Sequence, residues 1–240
     1  MNKKTRKMKK LIIVILSTIL LSVGVAEGKS KEKLKPEKPD MEAIKKAIRD
    51  PQSNYYYKRL WRKFVSNDTN MSIQEYRHFY LGYVFQEDYD PYRVSEFATK
   101  IQPLYYKKNH TEAECDTIIK YAELSLADNP FDLNQMQFFI YALKTKRKYA
   151  RASIWQYRLN HLIEAILSTG TGKKESPWFV ISPVHEYNIV NFMGLVVTDH
   201  QELINDIDYI IVDKKNDKMP DGYYFDVSKI LEVRNTKFGE

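Results

Sequence analysis

The chain has 240 residues, 43% of them hydrophobic and 29% charged, with a formal charge of +7. Its single cysteine, Cys115, excludes an intramolecular disulfide, so packing alone has to hold the fold. Eight glycines and nine prolines are too few for a low-complexity, disordered chain.

The start divides into three zones. Lys3, Lys4, Arg6, Lys7, Lys9 and Lys10 form a basic head without an acidic residue, and LIIVILSTILLSVGVA at 11–26 is apolar or small throughout. Gly24 and Ala26 put small residues where a signal peptidase reads, and charged Glu27 follows. A spanning helix needs about 20 apolar residues, more than this run offers. The pattern predicts a secretory signal peptide over 1–26, a periplasmic or secreted mature chain, and no stable membrane span after cleavage. No cysteine stands just after the apolar run, since Cys115 lies far downstream, so no lipid anchor is expected. Removing the six basic residues of the first 26 leaves 32 basic against 31 acidic, a charge near +1. Nucleic acid is thereby excluded as an expected partner, because it requires a concentrated basic face.

Residues 27–39 (EGKSKEKLKPEKP) have almost nothing to bury and are expected to form a solvated tether. From Asp40 apolar residues recur at three and four positions, and helices are expected near 40–49, 54–65, 72–86, 91–106, 111–127, 132–146 and 149–168. Ser72 with Glu75 is a capping box, flanked by Met71 and Tyr76 at staple positions; Thr111 with Glu114, and Asp132 with Gln135, repeat the signal. Asp90-Pro91 is expected to open a helix with proline in its first turn. Breaks at Asp50-Pro51, Asp90-Pro91 and Asn129-Pro130 suggest a repeat-like array of antiparallel helix pairs over 40–170. The segment after Asn129 resembles one tetratricopeptide-repeat hairpin, with Met136, Phe139, Ala142, Leu143, Tyr149 and Ala152 at its packing positions. Three unrelated helix pairs would use proline in the same places.

Residues 171–177 are expected to be a polar linker, after which β-formers dominate 178–240. WFVIS at 178–182, the apolar run 187–197, IDYIIVD at 207–213 and YYFDV at 223–227 are expected as strands of a small antiparallel sheet packed on the helices. A short helix is expected near 201–205. The fold class is α+β, mainly helical first and β afterwards.

The segments DPQSNYYYKRLW, EYRHFYLGYVFQEDYDPYR, ISPVHEYNIVNFMGL and DGYYFDVSKIL together resemble domain-of-unknown-function family 4919, exported proteins of Bacteroides-type Gram-negative bacteria. The resemblance covers nearly all of the chain after the signal. It implies an exported, single-unit architecture and brings no catalytic residues with it.

Motifs for chemistry are weak. Gly172-Lys173 lacks the upstream glycine and the following Ser or Thr of a phosphate loop, and G-x-S-x-G does not occur. Ser182 and His185 are near in sequence but need not share a hydrogen bond. Cys115 lies in a helix pattern and is expected as a buried, inert thiol. His161 and Glu164 lie one helical turn apart but lack further ligands, and Asp213, Asn216, Asp217 and Asp221 do not match a calcium loop. No metal and no cofactor is expected.

The most distinctive stretch is aromatic. Tyr76, Phe79, Tyr80 and Tyr83 recur at helical spacing, which fits either a packed helix face or a ligand face. As a ligand face it would comprise Tyr76, His78, Tyr80, Tyr83 and Tyr92, with Arg77 and Glu75 as polar contacts, extended by Tyr56 and Trp61 among Tyr55, Tyr56, Tyr57 and Trp61. The expected function is a non-enzymatic module presenting this face to a peptide, protein or glycan of the cell envelope. The alternative is a hydrolase of envelope polymers or glycans with a carboxylate pair, Glu75 and Glu87 or Asp88.

Overall fold

A computed structural model describes residues 34–239 apart from Lys215. The signal peptide and most of the tether expected above lie outside the described residues. The fold is α+β, with helices first and a four-stranded mixed sheet near the end. Two compact units share it, and each takes residues from separate stretches of the chain.

The first unit comprises Arg93–Leu159 with Asn191–Val196. It contains helix α4 (Glu96–Ile101), a 3-10 turn (Gln102–Tyr106), α5 (Glu112–Asp128), α6 (Leu133–Thr145) and the beginning of α7 (Tyr149–Leu167). Thr111 and Glu114 close the expected capping box, and the Asp132 side chain accepts from the Gln135 N–H. The Asp90-Pro91 expectation is corrected: the helix begins at Glu96, capped by the Ser95 side chain. Asp90 instead accepts from the Tyr92 N–H at 3.1 Å, which forms a local turn. The core joins Cys115, Ile118, Ala122 and Leu126 of α5 to Met136, Phe139, Ile140 and Leu143 of α6. Phe139 meets Trp155 of α7 edge-on at 5.0 Å, with the Arg151 guanidinium over its ring. Of the packing residues expected after Asn129, Met136, Phe139, Ala142, Leu143 and Ala152 are buried, whereas Tyr149, the first residue of α7, is exposed.

The second unit takes in 34–92, 160–190 and 197–239. Helices α1 (Met41–Arg49), α2 (Tyr57–Val65) and α3 (Ile73–Gly82) come first, and a 3-10 turn (Tyr83–Phe85) follows. Apolar residues on one side of α1 and of α2 set their packing, while α3 is buried nearly all the way round. Phe79 of α3 is the centre of an aromatic cluster with Phe64 at 4.8 Å, Tyr57 at 5.5 Å and Trp61 at 6.1 Å. Gly82 allows α1 to approach α3, since a Cβ there would lie 2.9 Å from the Ile48 side chain. The Ser72–Glu75 capping box starts α3 as the sequence predicts, and both Met71 and Tyr76 are buried.

The sheet of this unit contains β1 (Trp178–Phe179), β2 (Val196–Leu203), β3 (Ile207–Asp213) and β4 (Gly222–Asp226), in the order β1-β4-β3-β2. β3 and β4 are antiparallel, but β1 runs parallel to β4, so the sheet is mixed and not purely antiparallel. Three further expectations are corrected. Strand 178–182 stops after two residues, because the Ile181 N–H donates to the Tyr80 hydroxyl and Pro183 starts a helix. The apolar run expected as a strand over 187–197 is largely α8 (Pro183–Phe192), since periodicity alone cannot separate a buried helix from a buried strand. Residues 201–203 extend β2 and do not form a helix, and Asn205 and Asp206 turn the chain in left-handed conformations, φ 63° and 58°. A terminal helix, α9 (Ser228–Phe238), was not expected. Gly172, at φ +70°, fits under the Trp178 ring, and its carbonyl accepts from the Tyr224 N–H at 2.9 Å.

Candidate functional site

The tyrosine stripe of α3 is core. Tyr76, Tyr80 and Tyr83 are all buried, which removes these three from the ligand face expected of the sequence. Their periodicity marks a face, and in this unit neighbouring residues cover that face. The Tyr80 hydroxyl is shared with the His185 Nδ1 at 2.8 Å and accepts from the Ile181 N–H at 3.2 Å. Burial pushes its phenol well above the ordinary tyrosine value, so it stays protonated. The Tyr83 hydroxyl donates to the Asp88 carbonyl, and Tyr76 packs beside the His161 ring at 5.0 Å.

The polar residues on the same helix are committed as well. Arg77 is buried and donates to the Ser168 carbonyl at 2.5 Å, to the Ser168 Oγ at 2.6 Å and to the Glu37 carbonyl at 2.8 Å. Glu75 accepts from Lys63 Nζ at 2.5 Å on one oxygen and from the Ser72 N–H at 2.8 Å on the other. This leaves little of it for the acid–base role that a hydrolase would require. Glu87 and Asp88 are exposed.

The remaining expected residues keep a surface. His78 is half-buried and stacks flat on Tyr55, with centroids 3.7 Å apart and planes 4° apart, while its Nδ1–H donates to the Gln74 carbonyl. Desolvation lowers its pKa below the usual histidine value. Tyr92 is exposed. Tyr56 and Trp61 line a shallow groove of ≈ 500 Å³ together with Tyr57, Lys58 and Arg62. All five residues belong to one short segment, Tyr56 through the middle of α2. Lys58 and Arg62 sit one turn apart, so two exposed cations flank the aromatic floor.

A second constellation was not legible in the sequence. Glu186 of α8, His200 of β2 and Asp208 of β3 each offer one ligand atom, and these atoms lie within 4.8 Å of one another. His200 Nε2 and Asp208 Oδ2 are 2.9 Å apart. Glu186 is 1% exposed, and its Oε2 has no hydrogen-bond partner among the described residues. Burial, and then the charges of Asp208 and Glu202, push its carboxyl up to about 9, so it is protonated at neutral pH. Burial also raises Asp208, against the opposing effect of His200 and Arg234. The Tyr187 ring stands edge-on to His200 at 6.3 Å. No sequence motif links positions 186, 200 and 208; the β2–β3 hairpin and the buried side of α8 bring them together.

His161 packs on Tyr76 while Glu164 is exposed, and Asp221 pairs with Lys214 at 2.9 Å. Cys115 is buried. No helix among the described residues is long and apolar enough to cross a membrane.

No curated protein matches the chain, and no solved structure matches it. A family model does match, over residues 42–236, which spans both units and every residue of the groove and of the Glu186–His200–Asp208 cluster. The chain therefore belongs to the family described as Domain of unknown function (DUF4919).

Proposed function

We propose that this protein is a non-enzymatic interaction module whose groove on α2 takes an extended acidic peptide segment of an envelope partner. The observation that carries this reading is the groove itself. Tyr56 and Trp61 supply flat apolar surface, while the apolar stems of Lys58 and Arg62 complete the lining and leave two exposed positive charges at its edge. Aromatic side chains bury much area at low entropic cost, and paired cations favour carboxylates over neutral side chains. The groove is open and shallow, which suits a chain laid across it better than an enclosed small molecule. The basic head, the apolar run and small Gly24 and Ala26 support an exported location, where such a partner would be another envelope or secreted protein.

Acidic, neutral and basic decapeptides titrated against the protein, with tryptophan fluorescence as readout, test the reading. Acidic peptides are expected to bind with micromolar Kd, and Trp61→Ala to abolish the response. Equal binding of the three classes, or binding indifferent to Trp61→Ala, would overturn it. Mass spectrometry of the mature N-terminus tests export: a start at Glu27 is expected, and an intact Met1 in the envelope fraction would refute it.

A further inference from the structure

Outside the groove, the cluster between α8 and the β2–β3 hairpin holds donors of a kind that peptide binding does not use. We propose that Glu186, His200 and Asp208 form a binding site for a first-row divalent metal ion of the zinc class, with two carboxylates and one imidazole as protein ligands. The three ligand atoms already lie within 4.8 Å of one another. In a tetrahedral site with bonds of about 2.0–2.1 Å the ligand atoms stand about 3.4 Å apart, so side-chain rotations of little more than an ångström complete the geometry. His200 and Asp208 start closer than that, at 2.9 Å.

Two separate observations point to a ligand. The first is the donor set: an imidazole nitrogen among carboxylates suits zinc and its neighbours, whereas calcium and magnesium prefer oxygen alone. The second is Glu186. Its side chain is 1% exposed, and the buried Oε2 has no hydrogen-bond partner among the described residues. A buried polar oxygen without a partner is costly, and a cation bound in place of the carboxyl proton would supply that partner. Besides His200, Arg234 is a positive group whose charge acts on Asp208; it opposes the ion without replacing it as a partner for Glu186.

The site has a route of entry. The His200 side chain is 31% exposed and that of Asp208 13%, while Glu186 closes the inner side. Three protein ligands leave the fourth position of a tetrahedral ion to water, on the side where His200 meets solvent. An ion here would fasten α8 to the β2–β3 hairpin, whose two strands the His200–Asp208 hydrogen bond already links at this point.

Isothermal titration of zinc chloride into EDTA-treated, full-length protein tests the proposal, with magnesium and calcium chloride in parallel. One zinc per chain at micromolar Kd or tighter is expected, with a melting temperature raised by about 5–10 °C at a hundredfold excess over Kd. His200→Gln and Glu186→Gln are each expected to weaken zinc at least tenfold. Circular dichroism of both variants without metal should show the helical content of the parent, since His200 is partly exposed and glutamine keeps the shape of Glu186. Absence of zinc binding, binding untouched by His200→Gln, or calcium bound more tightly than zinc would each overturn it.

Discussion

Helices α2 and α3 look alike in sequence, each dense in aromatic residues at helical spacing, yet the structure uses them in opposite ways. On α3, Tyr76, Phe79 and Tyr80 are at most 1% exposed, and even the Tyr80 hydroxyl is spent on internal hydrogen bonds. On α2, Tyr57, Leu60 and Phe64 turn to the core, while Tyr56, Lys58, Trp61 and Arg62 open a groove. The difference lies in what surrounds the rings. On α2 exposed cations alternate with the aromatics, so one side of the helix has to stay in water, whereas α3 carries buried residues nearly all the way round. Aromatic density thus shows that a helix has something to bury, and the charges between the rings show how much of it is buried.

Substitutions break this comparison in order of burial. Phe79→Ala removes the ring that Phe64, Tyr57 and Trp61 pack on, and should cost about 3–5 kcal/mol in urea unfolding. A loss below about 1 kcal/mol would mean that α3 is not the core helix. Tyr80→Phe keeps the ring but strips partners from the buried His185 nitrogen and the Ile181 N–H, at about 1–3 kcal/mol. Ser72→Ala opens the capping box of α3 and should cost about 1 kcal/mol, readable as a lower midpoint at unchanged denaturant slope.

His78, stacked on Tyr55 between the two helices, sharpens the comparison by pH. Desolvation lowers its folded pKa below the ordinary value of 6.5. The unfolded chain then binds a proton that the folded chain refuses, so the contribution of His78 is complete above pH 6.5 and is lost as pH falls towards the folded pKa. Replacing it by glutamine should flatten that part of the stability–pH curve; an unchanged acid limb would refute the assignment. The smallest effect on stability is expected from Lys58→Ala with Arg62→Ala, within about 0.5 kcal/mol of the parent, because both residues are exposed. The same pair should weaken acidic peptides severalfold, so that binding and folding separate on α2 as they cannot on α3.

Local signals were legible to within a few residues. Ser72, Thr111 and Asp132 each cap a helix start, and α5, α6 and α7 fall where their apolar spacing puts them, because a cap and a helical stripe are written within a few consecutive residues. The groove was half legible: Tyr56 and Trp61 stood out as an aromatic patch, but Lys58 and Arg62 gained meaning only once the groove was seen. The Glu186–His200–Asp208 cluster was invisible for a related reason. Glu186 fell in the gap between the two runs read as strands, 178–182 and 187–197, and the short helix expected near 201–205 hid the hairpin that carries His200 and Asp208.

By itself the sequence determined the α+β class, most helix starts, the central strands β3 and β4 and the absence of an intramolecular disulfide, all of which follow from composition or from neighbours along the chain. Tertiary structure alone decided that α8 is a helix, that β1 runs parallel to β4, which tyrosines are covered, and which acids meet His200. Those outcomes depend on contacts between residues far apart in sequence. Burial by a distant segment turns the Tyr80 hydroxyl into an internal tie and leaves Glu186 a buried carboxyl beside an imidazole, and no local pattern encodes which segment will arrive.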